Sequence, residues 1–156
     1  MSITFYNADV KFILKQKKEL KGFIQLQASK EGKQIKNISY IFCSDEYLLN
    51  INRQFLNHDY YTDIITFPLS DDKKHIESEI YISVDRVNEN SKQFATSKGL
   101  KPLSGLNHQF QSELHRVMFH GILHLLGYKD KTKTHKAEMR KMEDLWLKRF
   151  ILFASQ

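Results

Sequence analysis

The chain has 156 residues, 41% of them hydrophobic and 12% aromatic, enough to bury one substantial core but hardly two. Lys and Arg number 24 against 18 Asp and Glu, and the resulting formal charge of +6 favours a polyanionic partner. The single cysteine, Cys43, excludes an internal disulfide and a cysteine-based metal cluster, and no apolar run approaches a membrane span or a signal peptide. The expectation is one soluble, cytoplasmic domain over residues 1–156 with no membrane partner.

The pattern predicts a first strand near residues 2–6 and a helix from Gln16 to Ser29, with Leu20, Phe23, Ile24 and Gln27 inward, ending near Glu31-Gly32. A second strand near 37–43 carries Cys43 as a small buried group. Ser44-Asp45-Glu46 reads as the capped start of a helix running to Phe55 with Leu48, Leu49 and Ile51. Asn57-His58-Asp59 then turns into a third strand near 62–68. The polar run Asp71 to His75 joins it to a fourth near 78–84, closely enough for an antiparallel hairpin with a mobile loop. A helix over Val84 to Lys98 is broken by Gly99-Leu100-Lys101-Pro102, and a strongly apolar helix follows Ser104-Gly105. The last helix, about Lys133 to Phe150, carries Met139, Met142, Leu145, Trp146 and Phe150 at helical spacing and reads as core. Strands and helices alternate and then give way to helices, which predicts an α+β fold with a mixed sheet covered by about five helices.

The segment that carries chemistry is His120-Gly-Ile-Leu-His124-Leu-Leu-Gly127-Tyr-Lys-Asp130. Residues four apart on a helix are turned only about 40° from one another and separated by about 6 Å along the axis, so both imidazoles leave the same face. A third ligand requires the chain to double back. Gly127 permits that by ending the helix in the left-handed conformation, which brings Asp130 under the histidines. Two nitrogens and a carboxylate suit zinc and leave a position for water, whose pKa falls to roughly 7 on the metal. The expected nucleophile is that metal-bound water; the general base is not identified, Glu138 being only the nearest downstream carboxylate in sequence. Gly121 stands where a zinc peptidase of similar spacing has its glutamate base, and glycine cannot take a proton, so a peptidase is disfavoured. His58, His75, His108 and His115 fall outside the pattern and are expected at the surface or in capping roles.

HGILHLLGYKD resembles the HGxLHLxGYDH signature of the YbeY family, metal-dependent bacterial endoribonucleases that mature ribosomal RNA. Ile51-Asn52 with Phe55, Asp59 and Thr62-Asp63-Ile64-Ile65-Thr66-Phe67-Pro68 resembles the family's LNxxYRxxDxxTDVLSFP block, and Ser78 to Ser83 resembles its GDIxI strand. The resemblance implies a four-stranded mixed sheet with the metal site in a cleft at a helix end, one zinc ion per chain and an rRNA-processing activity. There are two departures. The family's third histidine falls on Asp130, with His135 as the fallback ligand, and the family's phosphate-binding arginine falls on Leu56. Arg53, Arg116 and Lys129 are the candidates for RNA contact in its place.

Residues 129–149 hold eight basic residues against four acidic ones, so much of the positive excess lies beside the predicted site. This charge, together with Lys15, Lys17, Lys18 and Lys21, suits the phosphates of single-stranded precursor ribosomal RNA. The expected partners are that RNA and the small ribosomal subunit or its associated proteins. Two other readings stay open: a non-catalytic ribosome-associated RNA-binding factor with a structural metal, and a metal hydrolase of another substrate.

Overall fold

The computed structural model describes residues 2–97 and 108–156. The elements are β1 (Ser2–Asn7), α1 (Lys17–Lys30), β2 (Gln34–Cys43), α2 (Asp45–Leu56), β3 (Ile64–Pro68), β4 (His75–Ser83), α3 (Val84–Ser97), α4 (His108–Leu125) and α5 (Lys133–Ala154). One mixed sheet has the order β1-β2-β4-β3, with β1, β2 and β4 parallel and β3 antiparallel to β4. This is the expected α+β architecture. β2 and β4 both begin three residues earlier than their hydrophobic patterns suggest, because Gln34 pairs with His75 and Ile35 with Ile76 before the register shifts at Asn37. The predicted break over Gly99 to Pro102 and Ser104-Gly105 lies outside the described residues. No helix among the described residues is long and apolar enough to cross a membrane.

The two faces of the sheet follow the period-two alternation of its strands. Ile38, Tyr40 and Phe42 of β2 and Ile76, Ile80 and Ile82 of β4 enter the main core with α1, α4 and α5. Cys43, Ile65, Phe67 and Tyr81 join Leu48 and Ile51 of α2 in a smaller cluster. Ser44 caps α2 by accepting from the Tyr47 amide at 3.1 Å, and Thr132 caps α5 by accepting from the His135 amide at 3.1 Å. The 71–75 loop, expected to be mobile, is an Asp72 turn: its carboxylate accepts from the Lys74 amide and meets His75 Nδ1, each at 2.8 Å.

Helix α4 is the hub. It lies close against the sheet at Gly121, where a Cβ would lie 3.0 Å from Ile64 Cδ1 and 3.3 Å from Ile80 Cδ1. Tyr40 adds a buried hydrogen bond from its hydroxyl to the Met118 carbonyl at 2.9 Å. On another side α4 packs against α5, where Phe23, Phe119, Trp146 and Phe150 form an aromatic cluster with ring centroids 5.2–5.8 Å apart.

Being packed on two sides corrects the expectation for His115. It is not a surface residue: it is 7% exposed, against Phe119 and Phe150. Burial lowers its pKa from 6.5 to about 4, so it is neutral at pH 7. The α5 stripe also differs from its pattern. Met139, Trp146 and Phe150 are buried, but Leu145 is exposed and Glu143 takes the inward position.

Candidate metal centre

Near its C-terminus α4 presents His120 and His124 on one face, with ring centroids 4.5 Å apart. The helix closes in a Schellman motif: the Tyr128 amide donates to the Leu123 carbonyl and the Gly127 amide to the His124 carbonyl, both at 3.0 Å. Gly127 has φ +107°, in the region that glycine reaches without a Cβ clash. Lys33 donates to the Leu125 carbonyl at 3.2 Å and places a positive charge at this helix end. The reversed chain then brings Asp130 back. Its Oδ2 lies 3.4 Å from His120 Nε2 and 3.3 Å from His124 Nε2.

These three residues offer donor atoms within 4.8 Å of one another. Their chemistry fits a divalent cation. His120 Nδ1 meets Glu143 Oε2 at 2.8 Å, and a carboxylate can only accept, so that nitrogen carries the proton. In the neutral ring the Nε2 lone pair then faces the Asp130 oxygen, an arrangement that repels unless a proton or a metal ion lies between them. Burial by itself would lower the pKa of His120, but the Glu143 hydrogen bond and the charges of Glu143, Asp130 and Asp63 raise it above the ordinary value. The same negative field favours a bound cation. His135, the fallback ligand, is carried away by the start of α5 into a neighbouring hollow with Glu31, Lys129 and Glu138, and it is not part of the group.

Beside the three donors opens a cavity of about 270 Å³, lined by Asp63, Ile64, Glu113, Arg116, Val117, His120, Asp130, Arg140 and Glu143. Burial raises the pKa of Asp63, against the His120 charge, and burial likewise raises that of Glu113, against Arg116. Glu143 is almost fully buried and bridges the two elements: its second oxygen accepts from Arg116 Nη1 at 3.1 Å while the first holds His120.

The three cations expected to meet RNA are placed differently from one another. Arg116 lines the cavity but is enclosed, with Glu143, Asp144 at 2.9 Å and Glu113 at 3.8 Å around its guanidinium. Arg53 is bound to Asp59 and does not line the cavity, and Lys129 lines the hollow on the other side of Gly127. Leu56, at the end of α2, is 41% exposed and also outside the cavity. Glu138 lines the Lys129 hollow rather than the cavity of the histidines. Sequence reasoning missed Glu143 and Asp63. A usable signal existed for the first, since residues 139, 143, 146 and 150 share one helical face and a carboxylate among Met, Trp and Phe requires a buried partner.

A family model described as Endoribonuclease YbeY matches residues 3–151. The chain is 48% identical over 144 residues to a protein of Cytophaga hutchinsonii named Endoribonuclease YbeY, covering 92% of each. A protein of the same name from Karelsulcia muelleri is 44% identical over 142 residues, covering 91% of this chain and 92% of the relative. The solution structure of a Thermotoga maritima protein superimposes with a TM-score of 0.61 at 25% identity, covering 96% of this chain and 89% of that one.

Proposed function

This chain belongs to the endoribonuclease YbeY family, and we propose that it acts as a single domain, in the cytoplasm, as a zinc-dependent endoribonuclease. Its proposed substrate is single-stranded precursor ribosomal RNA, reached on the small ribosomal subunit or with its associated proteins. The observation that carries the reading is the convergence of His120, His124 and Asp130, of which His120 and Asp130 also line a cavity walled by charged groups. Among the described residues three donors converge, not four, which leaves room for a reacting group and favours catalysis over a purely structural ion.

His120, His124 and Asp130 would hold one zinc ion per chain. When bound, zinc supplies Lewis acidity towards the phosphoryl oxygen and lowers the pKa of water from 15.7 to roughly 7, making the nucleophile available near neutral pH. The chain's own residues do the rest. Glu143 fixes the His120 ring by holding Nδ1–H, so that Nε2 is aimed at the ligand position. Arg116 holds Glu143 in place from the other side. Asp63, just ahead of β3, shares the cavity, has its pKa raised by burial and feels the charge of His120, whereas Glu113 is drawn to Arg116, so Asp63 is the carboxylate suited to exchange a proton with the reacting groups.

The alternative of a metal hydrolase on a peptide requires a glutamate facing the ligand position. Of the two glutamates that line the cavity, Glu143 is committed to His120 and Arg116 and Glu113 is drawn to Arg116 at 3.8 Å, while Gly121 faces Ile64 and Ile80 of the sheet. The direct test is His124→Ala: zinc content and RNA cleavage are both lost if the assignment is right, while zinc retained at full stoichiometry refutes it.

A further inference from the structure

The resemblance matches the family's phosphate-binding arginine to Leu56, which cannot bind an anion and does not line the cavity. The proposed reaction still places a phosphodiester among four carboxylates, Asp63, Glu113, Asp130 and Glu143, and only two guanidiniums line the same space. A divalent cation would at best balance that charge, and the phosphate adds another negative one. A cation whose charge is not already spent within the protein is therefore needed.

The two guanidiniums differ in their surroundings. Arg116 is 16% exposed and shares its charge among Glu113, Glu143 and Asp144. Arg140 projects from α5 with 59% of its side chain exposed, and among the described residues its one ion pair is a 3.8 Å approach to Glu143 Oε1, the oxygen that already accepts from Arg116 at 3.1 Å. It lines the cavity beside His120 and Asp130 and keeps its donors available. Arg53 and Lys129 line no part of that cavity.

We propose that Arg140 is the phosphate-contacting residue of this chain, supplying from α5 a charge that Leu56 cannot supply. The inference rests on the endoribonuclease reading and adds a residue to it. A guanidinium offers paired parallel donors to two phosphate oxygens, which a lysine ammonium cannot reproduce, so the position is specific for arginine rather than for positive charge alone. Since Arg140 is exposed and Glu143 retains Arg116, removing it leaves the fold and the zinc ligands intact.

The test uses full-length, zinc-loaded protein with Arg140→Gln, Arg140→Lys and, as a control for lost charge, Lys36→Gln. Cleavage of a labelled single-stranded RNA is measured together with zinc content, melting temperature and the salt dependence of binding to a non-cleavable 2′-O-methyl oligonucleotide. Arg140→Gln should lower kcat/KM on the order of 100-fold, with unchanged zinc and melting temperature, and should flatten the salt slope by about 0.7. Arg140→Lys should recover the slope but only part of the rate. Cleavage and slope like wild type in Arg140→Gln, or equal losses in Lys36→Gln, would overturn the proposal. If wild-type protein binds the oligonucleotide through Arg140 but does not cleave RNA, the enzymatic reading fails and the phosphate contact stands. If it does not bind, both fail.

Discussion

At His120 two nitrogens of one ring have separate tasks: Nδ1 donates to Glu143 and Nε2 faces Asp130. Such an outer hydrogen bond fixes both tautomer and ring orientation, so Glu143→Gln should weaken zinc binding about 10–100-fold, which a chelator competition titration would read; unchanged affinity would remove Glu143 from the site. Asp63→Asn should lower kcat while zinc content stays at the wild-type level; loss of zinc would instead make Asp63 part of the binding group. His115 makes a prediction about stability. It is neutral when folded, with a pKa of about 4, against 6.5 as its ordinary value. As pH falls from 6.5 towards 4 the unfolded chain binds a proton that the folded one does not, so stability is present above pH 6.5 and lost in that window, by about 3 kcal/mol. Denaturant unfolding at pH 7 and pH 4 should show a smaller difference for His115→Leu than for wild type; an equal difference would show that His115 does not carry the effect.

The elements differ in how much of their role could be read in advance. The helical spacing of His120 and His124 and the turn at Gly127 were legible, because 3.6 residues per turn and a left-handed glycine are local properties. Asp130 followed from them, and the strand and helix order followed from hydrophobic period. What local pattern could not supply was the partner across space. Asp63 reaches the cavity because α4 packs over β3 and β4; the antiparallel pairing of those strands was legible in their short connection, but nothing near residue 63 encodes the helix that covers them. Glu143 looked like one acid in a mixed-charge run. His115 was misplaced because it falls outside the ligand pattern, which says nothing of what packs on the other faces of α4, where the sheet covers one and α5 another. The glycine within α4 and the one just past its end then acquire distinct roles. Gly127→Ala forces a Cβ into φ +107° and should destabilise the chain by about 1–2 kcal/mol, with weaker zinc binding as Asp130 shifts. Gly121→Val instead presses on Ile64 and Ile80 and should cost about 1–3 kcal/mol. Thermal melts with and without zinc separate the two, since only the first change should reduce the stabilisation that zinc provides.

For the whole molecule, sheet, hub helix and C-terminal helix meet at one polar cavity, and each contributes to it: Asp63 just ahead of β3, His120 from α4, Asp130 from the turn, Arg140 and Glu143 from α5, with His124 beside it in the donor group. The net charge of +6 surrounds a site that is itself acidic. That division suits a polyanion held at its phosphates while one phosphodiester approaches a metal ion. Affinity for single-stranded RNA should accordingly fall with salt, with a slope near −0.7 for each phosphate neutralised.

The central claim is that this cavity cleaves RNA with a metal held by His120, His124 and Asp130. The measurement that meets it most directly is cleavage of a labelled single-stranded RNA by purified protein of known metal content, run beside chelator-treated protein and His120→Ala. Internal cleavage is expected from the metal-loaded protein and none in either control. Stable metal and tight RNA binding without cleavage, or cleavage that survives both controls, would contradict it.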